Sequence, residues 1–221
     1  MSALPAALRQ SLFIAGTDTG VGKTWVATRL LAALGAAGLR AAGMKPVAAG
    51  AELTSHGLRN DDALELQFAA SVRLPYEQVN PCCLADATSP HLAARRAGKI
   101  VDIRVIKSAF DSIRAETDVI IVEGAGGWLA PVGDPEAPGH AGPTLQDIAR
   151  ALGLPVLLVV GIRLGCISHA LLTAAAIERA GLPLAGWVAN SIDPDFPDRR
   201  DYVESLRLRL AAPLLSIPPG D

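Results

Sequence analysis

Unbroken apolar runs alternate along this chain with stretches whose apolar residues recur at helical spacing. Leu12-Phe13-Ile14-Ala15, Val119-Ile120-Ile121-Val122 and Val156-Leu157-Leu158-Val159-Val160 contain no polar residue. Runs of that length without alternation mark strands covered on both faces, as in a parallel sheet. Leu39–Lys45, Leu184–Asn190 and a short Pro213–Ile217 add three more strands. Helices are predicted between them. Val26, Leu30 and Leu34 keep helical register after the first run, and a break is expected at Gly35 to Gly38. Further helices start at Asp61, cover 101–116 with Val105, Ile106, Ala109 and Ile113 on one side, and occupy Leu145–Leu152, Ala170–Ala180 and Asp201–Leu210. Residues 50–60, 74–92 and 131–143 are rich in Gly, Pro and polar residues and are expected to be irregular. The pattern predicts an α/β fold: one doubly wound, mostly parallel sheet with helices on both faces, spanning residues 1–221 as a single domain.

Composition narrows the function classes. Half of the 221 residues are hydrophobic and only 4% aromatic, so the core is aliphatic. The net charge of −2 provides no global basic field for nucleic acid. Cys82, Cys83 and Cys166 are few, odd in number and without a C-x-x-C pair, which argues against a disulfide framework and for a reducing compartment. No signal-peptide run opens the chain and no stretch approaches a membrane span. A soluble cytoplasmic protein with no membrane or nucleic-acid partner is expected.

The chemistry centres on Gly16-Thr17-Asp18-Thr19-Gly20-Val21-Gly22-Lys23-Thr24, between the first strand and the first helix. Strand, glycine-rich loop and helix N-terminus in that order form a phosphate-binding loop of the P-loop NTPase kind. Free backbone N–H groups and the helix dipole attract phosphate oxygens, and glycines let the backbone approach them. Lys23 suits the β- and γ-phosphates of ATP and the Thr24 hydroxyl suits Mg²⁺. The loop departs from the usual spacing: its first glycine stands at 16, where the common pattern has it one later, at Thr17.

Four other positions belong at the carboxyl edge of the same sheet, where ligands gather in open α/β folds. Lys45 precedes Pro46 and so ends a strand; it either reaches the same phosphates or is a solvated strand-end lysine. Asp62, in the first turn of a helix, is either a dipole partner or a Mg²⁺ carboxylate. Glu123 ends a buried strand ahead of Gly124-Ala125-Gly126-Gly127, the placement of a second Mg²⁺-associated acid. Asn190 closes another strand and either reads a base edge or makes a turn. Gly165 to Ser168 precede a helix and are either an anion site or a plain capping turn. Cys82, Cys83 and His91 read as structural.

Taken together, the segments Gly16–Thr24, Gly43-Met-Lys-Pro-Val-Ala48, Glu123–Gly127, Gly165-Cys-Ile and Gly186-Trp-Val-Ala-Asn190 resemble the dethiobiotin synthetase family from about residue 11 to 219. The resemblance implies ATP- and Mg²⁺-dependent insertion of CO₂ between the two amines of 7,8-diaminononanoate, through a carbamate and a carbamic–phosphoric anhydride. It implies that Lys45 is catalytic, stabilising charge on carbamate and phosphate together with Lys23. Gly20, Val21, Gly22, Lys23, Thr24 and Trp25 would hold ATP, with Thr24, Asp62 and Glu123 around Mg²⁺. Gly124, Ala125 and Gly126 would lie along the nucleotide. Asn190 would contact adenine beside Ser191, with Pro218, Pro219 and Gly220 lining the pocket. Thr19, Lys45, Gly126 and the turn Gly165, Cys166, Ile167 and Ser168 would meet the diamine acid, with Tyr202 near it across a homodimer interface. Two departures stand out. Ala49 occupies a place where the family usually has a serine contacting substrate, and the chain ends at Asp221 where the family usually continues into a further loop and helix, which bears on nucleotide affinity and base selectivity.

Two rivals share the fold. A nucleotide-switch ATPase of the partition or metal-delivery type usually has a second lysine early in the loop, where Asp18 and Thr19 stand here, and often an amphipathic tail that residues 201–221 lack. A non-catalytic relative of the synthetase is disfavoured by Lys45, Asp62 and Glu123.

Overall fold

A computed structural model describes residues 4–217. In chain order the elements are a 3₁₀ turn (Ala6–Leu8), β1 (Leu12–Gly16), α1 (Lys23–Ala36), β2 (Ala41–Met44), β3 (Val47–Ala48), β4 (Glu52–Thr54), β5 (Gly57–Arg59), α2 (Asp61–Ala69), α3 (Tyr76–Val79), β6 (Cys82–Cys83), α4 (Pro90–Arg96), α5 (Ile103–Glu116), β7 (Val119–Gly127), α6 (Leu145–Leu152), β8 (Val156–Gly161), α7 (Cys166–Arg179), β9 (Leu184–Asn190) and α8 (Arg199–Arg207).

The apolar runs became the sheet. Its five strands lie in the order β2-β7-β1-β8-β9 and every neighbouring pair is parallel. Successive side chains of a strand point to opposite faces. Leu12 and Ile14 therefore pack on one face against Val26, Leu30 and Leu34 of α1, while Phe13 and Ala15 face the other side with Phe110, Ile148 and Ile177 of α5, α6 and α7. Both faces are covered, as the fold class required. Among the described residues no helix is long and apolar enough to cross a membrane.

Several local expectations were wrong. Residues 50–60 hold a hairpin, β4 paired antiparallel with β5. Glu52, Leu53 and Thr54 are all exposed, so no alternation betrayed the strand. The Thr54 hydroxyl donates to the Gly57 carbonyl across the turn at 2.8 Å. The segment 74–92 contains α3, β6 and the start of α4, each element too short to show a period. Pro75 and Pro90 stand at helix starts, where a missing N–H costs nothing. In α5 the buried residues are Ile106, Phe110 and Ile113, and Val105 points outward. Helix α7 begins at Cys166 rather than Ala170. Strand β7 does not end at Glu123 but continues through the glycines to Gly127. Of the expected final strand, Leu214 makes only an isolated parallel bridge with Trp187.

Candidate active site

The phosphate-binding loop runs from the end of β1 into α1, and its odd spacing has a steric cause. A Cβ on Gly16 would lie 2.8 Å from Val21 Cγ2 and 2.9 Å from the Asp18 carbonyl oxygen. Glycine is needed there because the loop folds back over the strand end. Gly22 is the left-handed N-cap of α1, at φ 88°. A Cβ there would come within 2.0 Å of Asn190 Nδ2. Asn190, at the end of β9, donates that amide to the Val21 carbonyl at 2.9 Å. Its side chain thus braces the loop, and Asn190 itself does not line the cavity that the loop borders. Gly22→Ala should therefore strain the backbone and push Asn190 away, about 1–3 kcal/mol for the backbone alone. ATP affinity should fall about tenfold or more in a nucleotide titration. An unchanged affinity would show that this contact does not hold the loop.

Lys23 reaches back to the Asp18 carbonyl at 2.9 Å. Burial, followed by the neighbouring Lys45 ammonium, lowers its pKa to about 8 against the opposing pull of Glu123, Asp62 and Asp18. A triphosphate placed against the loop would restore its charge. Arg163 Nη2 meets Asp18 Oδ2 at 2.5 Å, tying the loop to the segment that enters α7.

The sheet's carboxyl edge carries the rest. The Lys45 ammonium, 4% exposed, lies 2.6 Å from Glu123 Oε1 and 2.7 Å from Asp62 Oδ2. The Thr24 hydroxyl lies 2.9 Å from Asp62 Oδ1 and 2.9 Å from Glu123 Oε1. Burial would lower the Lys45 pKa, but the two carboxylates outweigh it and hold the ammonium charged beyond the ordinary lysine range. Burial would also raise Asp62, yet Lys45 reverses that and keeps it ionised below the usual carboxylate range. Glu123 is the most enclosed, and there burial prevails over Lys45 and lifts its pKa. Glu123 Oε2 is buried with no hydrogen-bond partner.

The alignment has a buried source that the sequence did not disclose. The Tyr76 hydroxyl accepts from the Asn60 amide N–H at 2.8 Å and donates to Asn80 Oδ1 at 3.1 Å. Asn80 Nδ2 donates to the Lys45 carbonyl at 2.6 Å, while Asn60 Oδ1 caps α2 by accepting from the Ala63 N–H at 3.3 Å. One hydroxyl thereby links the backbone of Lys45 to the helix start that carries Asp62.

Lys23, Thr24, Lys45, Asp62 and Glu123 line one cavity of about 700 Å³. Of the sequence-predicted residues it brings together Thr19, Gly20, Gly22, Lys23, Thr24, Lys45, Ala49, Asp62, Glu123, Ala125 and Gly126. Val21 is buried beneath the loop, and Gly124 faces inward, where a Cβ would meet Leu145 and Phe13 at 3.0–3.1 Å. Gly124 is thus explained by core packing rather than by nucleotide approach. Trp25 is half exposed with the Arg29 guanidinium 4.4 Å above its ring, and Ser191 is exposed near Asn190. Gly165, Cys166, Ile167, Ser168 and Tyr202 do not line the cavity of a single chain; Tyr202 stacks edge-on against Phe196 at 4.9 Å. Pro218, Pro219 and Gly220 lie outside the described residues. The cavity adds Asn60, Thr88 and Ser89, which the sequence reading had not placed there. Thr88 and Ser89 sit in a proline-marked connection whose residues gave no periodic signal.

Comparison with known proteins shows what the chain as a whole resembles. The family described as an AAA domain matches residues 10–218. The ATP-dependent dethiobiotin synthetase of Aromatoleum aromaticum is 50% identical over 207 residues, covering 94% of this chain and 89% of that one. The enzyme of the same name from Pseudomonas aeruginosa is 49% identical over 210 residues, with 95% and 89% covered. Among solved structures, the MinC:MinD cell division complex of Aquifex aeolicus superposes with a TM-score of 0.56 at 18% identity, covering 96% of this chain and 82% of that one, a likeness of fold alone. Identity near one half along almost the whole length of both chains shows that this chain belongs to the ATP-dependent dethiobiotin synthetase family.

Proposed function

We propose that this chain closes the ureido ring of dethiobiotin from 7,8-diaminononanoate, CO₂ and ATP. The reading rests on one observation: the Lys45 ammonium is held between Asp62 and Glu123, both hydrogen-bonded to the Thr24 hydroxyl of the phosphate loop. A fixed cation beside a nucleotide loop stabilises negative charge that grows on a transferring phosphoryl group. One amine takes up CO₂ to become a carbamate, ATP phosphorylates the carbamate, and the second amine displaces phosphate to close the ring. Lys45 and Lys23 serve as the cations facing carbamate and phosphate oxygens. The Gly20–Trp25 segment holds the triphosphate, and Asn190 and Ser191 meet the adenine.

Thr24, Asp62 and Glu123 are the proposed Mg²⁺ holders. The donors are hard oxygens, only two of them carboxylates, and Glu123 Oε2 is a buried oxygen lacking any partner, which suits an ion that keeps phosphate and water in its shell. Mg²⁺ bound there would neutralise phosphate charge. Thr19, Ala49 and Gly126 border the space left for the diamine acid. The Gly165–Ser168 turn and Tyr202 are proposed to act on that substrate from a second copy in a homodimer. Leu164 and Leu172, 78% and 68% exposed beside that turn, give such a contact apolar surface. The three free cysteines fit a cytoplasmic setting.

The test is coupling. ADP and phosphate should form only when the diamine and bicarbonate are both present, followed by a phosphate-release assay with each omitted in turn. Equally fast hydrolysis without the diamine would favour a nucleotide-switch ATPase instead.

A further inference from the structure

Ring closure has a proton problem that the residues described so far do not solve. Each substrate amine is an alkylammonium at neutral pH, and its nitrogen must lose a proton to attack CO₂ or the anhydride. The titratable residues lining the cavity are Lys23, Lys45, Asp62 and Glu123. Lys23 is recharged by the triphosphate and Lys45 is held charged by two carboxylates, so neither offers a lone pair. Asp62 and Glu123 spend oxygens on Lys45 and Thr24, and they are the proposed holders of Mg²⁺.

On the same cavity wall stands Ser89, which precedes the first residue of α4. Serine in that position ordinarily turns its hydroxyl onto the free N–H groups of the first helical turn. This one makes no such capping bond. Its hydroxyl instead lies 2.9 Å from His91 Nδ1. Pro90 separates the two, and the His91 N–H is bonded to the Pro131 carbonyl at 3.3 Å, so the backbone on which the imidazole hangs is fixed. His91 is half buried. A hydroxyl withdrawn from its helix, aimed at an imidazole and bordering the reaction space is the geometry of an activated serine–histidine pair.

We propose that Ser89 and His91 form a proton relay for the substrate amines, an inference that rests on the ring-closure reading above. Ser89 Oγ accepts the proton leaving the amine nitrogen as its own hydroxyl proton passes to His91 Nδ1. The nitrogen lone pair so freed forms the new N–C bond. The imidazolium then gives up a proton to water, and exchange with solvent returns it to the Nε2–H tautomer, whose Nδ1 can accept from Ser89 again. No oxidant or co-reactant is required, and the serine is regenerated with one proton exchanged for another. Ser89 touches substrate in this scheme, and His91 acts through it. With a methyl group at Ala49 on the same cavity, Ser89 also supplies a hydroxyl contact.

The experiment measures ring closure and phosphate release for the full chain and for Ser89→Ala, His91→Ala, His91→Asn and the double alanine variant. Each alanine variant should lower kcat about 10²-fold with the KM for ATP unchanged. The double variant should be no slower than the singles, because the pair acts as a unit. His91→Asn can still hydrogen-bond to Ser89 but cannot carry the proton, so it should stay slow, and added imidazole should restore part of the His91→Ala rate. A Ser89→Ala enzyme within twofold of the wild type, a His91→Asn enzyme at the wild-type rate, or losses that add in the double variant would overturn the relay. Should an alanine variant fail to fold, His91→Asn, which keeps the hydrogen bond, decides the question. A wild-type chain that makes no product from the diamine and bicarbonate sinks the ring-closure reading; an active wild type with active variants sinks the relay alone.

Discussion

Replacing Lys45 with alanine should slow ring closure by about 10³-fold while ATP binding stays close to that of the parent. The asymmetry follows from position. Lys45 sits at the end of β2, outside the loop whose N–H groups and Lys23 hold the triphosphate, and its ammonium is aimed at Asp62 and Glu123. Its charge is needed where negative charge develops rather than where the nucleotide docks. Single-turnover product formation, set beside a nucleotide titration, separates the two; near-normal turnover would end the assigned role. The variant should also change how stability depends on pH. Glu123 is 1% exposed and its pKa already stands above the ordinary 4.5 because of burial. Without Lys45 the carboxylate loses its nearest cation, and its folded-state pKa climbs further. An acid whose pKa is higher folded than unfolded binds more protons in the native state. Its favourable contribution is then present at low pH and is lost as pH rises from about the unfolded value through the folded one. Lys45→Met, which keeps much of the side-chain volume, should therefore gain thermal stability relative to the parent as the pH is lowered from 7 toward 5. A pH-independent difference in Tm would show that Glu123 is not left ionised and alone.

The sequence made the sheet legible because β1, β7 and β8 are covered on both faces, and such strands can only be apolar throughout. It made Gly16–Thr24 legible because a phosphate loop joins a strand to a helix through residues whose types are fixed by sterics and charge. Lys45, Asp62 and Glu123 were each ambiguous alone, and what united them was their shared place at strand ends or a helix start. The hidden parts have different physics. The β4–β5 hairpin is exposed on every residue of β4, so burial left no imprint on its pattern. The Tyr76–Asn80 brace links residues whose neighbours in space are 16 and 35 positions away in the chain. Ser89 and His91 lie within an ordinary Ser-Pro-His helix start, and only the direction of the hydroxyl sets it apart. Gly124 was read with its neighbours as backbone making way for a ligand, whereas its missing Cβ makes way for Phe13 and Leu145.

Glu123→Gln should raise the Mg²⁺ concentration needed for half-maximal activity by about 10–100-fold and leave the fold in place. The substitution keeps size and shape but removes the negative charge. Lys45 retains Asp62 as its counter-ion at 2.7 Å, so no buried lysine is stranded and the stability loss is smaller than for removing the cation. The Thr24 hydroxyl can still reach the amide oxygen, so the loop need not move. What disappears is half of the carboxylate charge at the proposed Mg²⁺ cage and the buried oxygen that has no other partner. Excess Mg²⁺ should then recover much of the lost rate, because an ion bound more weakly is restored by mass action. Lys45→Ala, by contrast, should not be recovered by Mg²⁺ at any concentration. A Mg²⁺ titration of both variants beside the parent separates a carboxylate that holds the ion from a lysine that meets the reacting group. An unchanged Mg²⁺ response in Glu123→Gln would remove Glu123 from the ion's surroundings and leave it only the task of fixing Lys45.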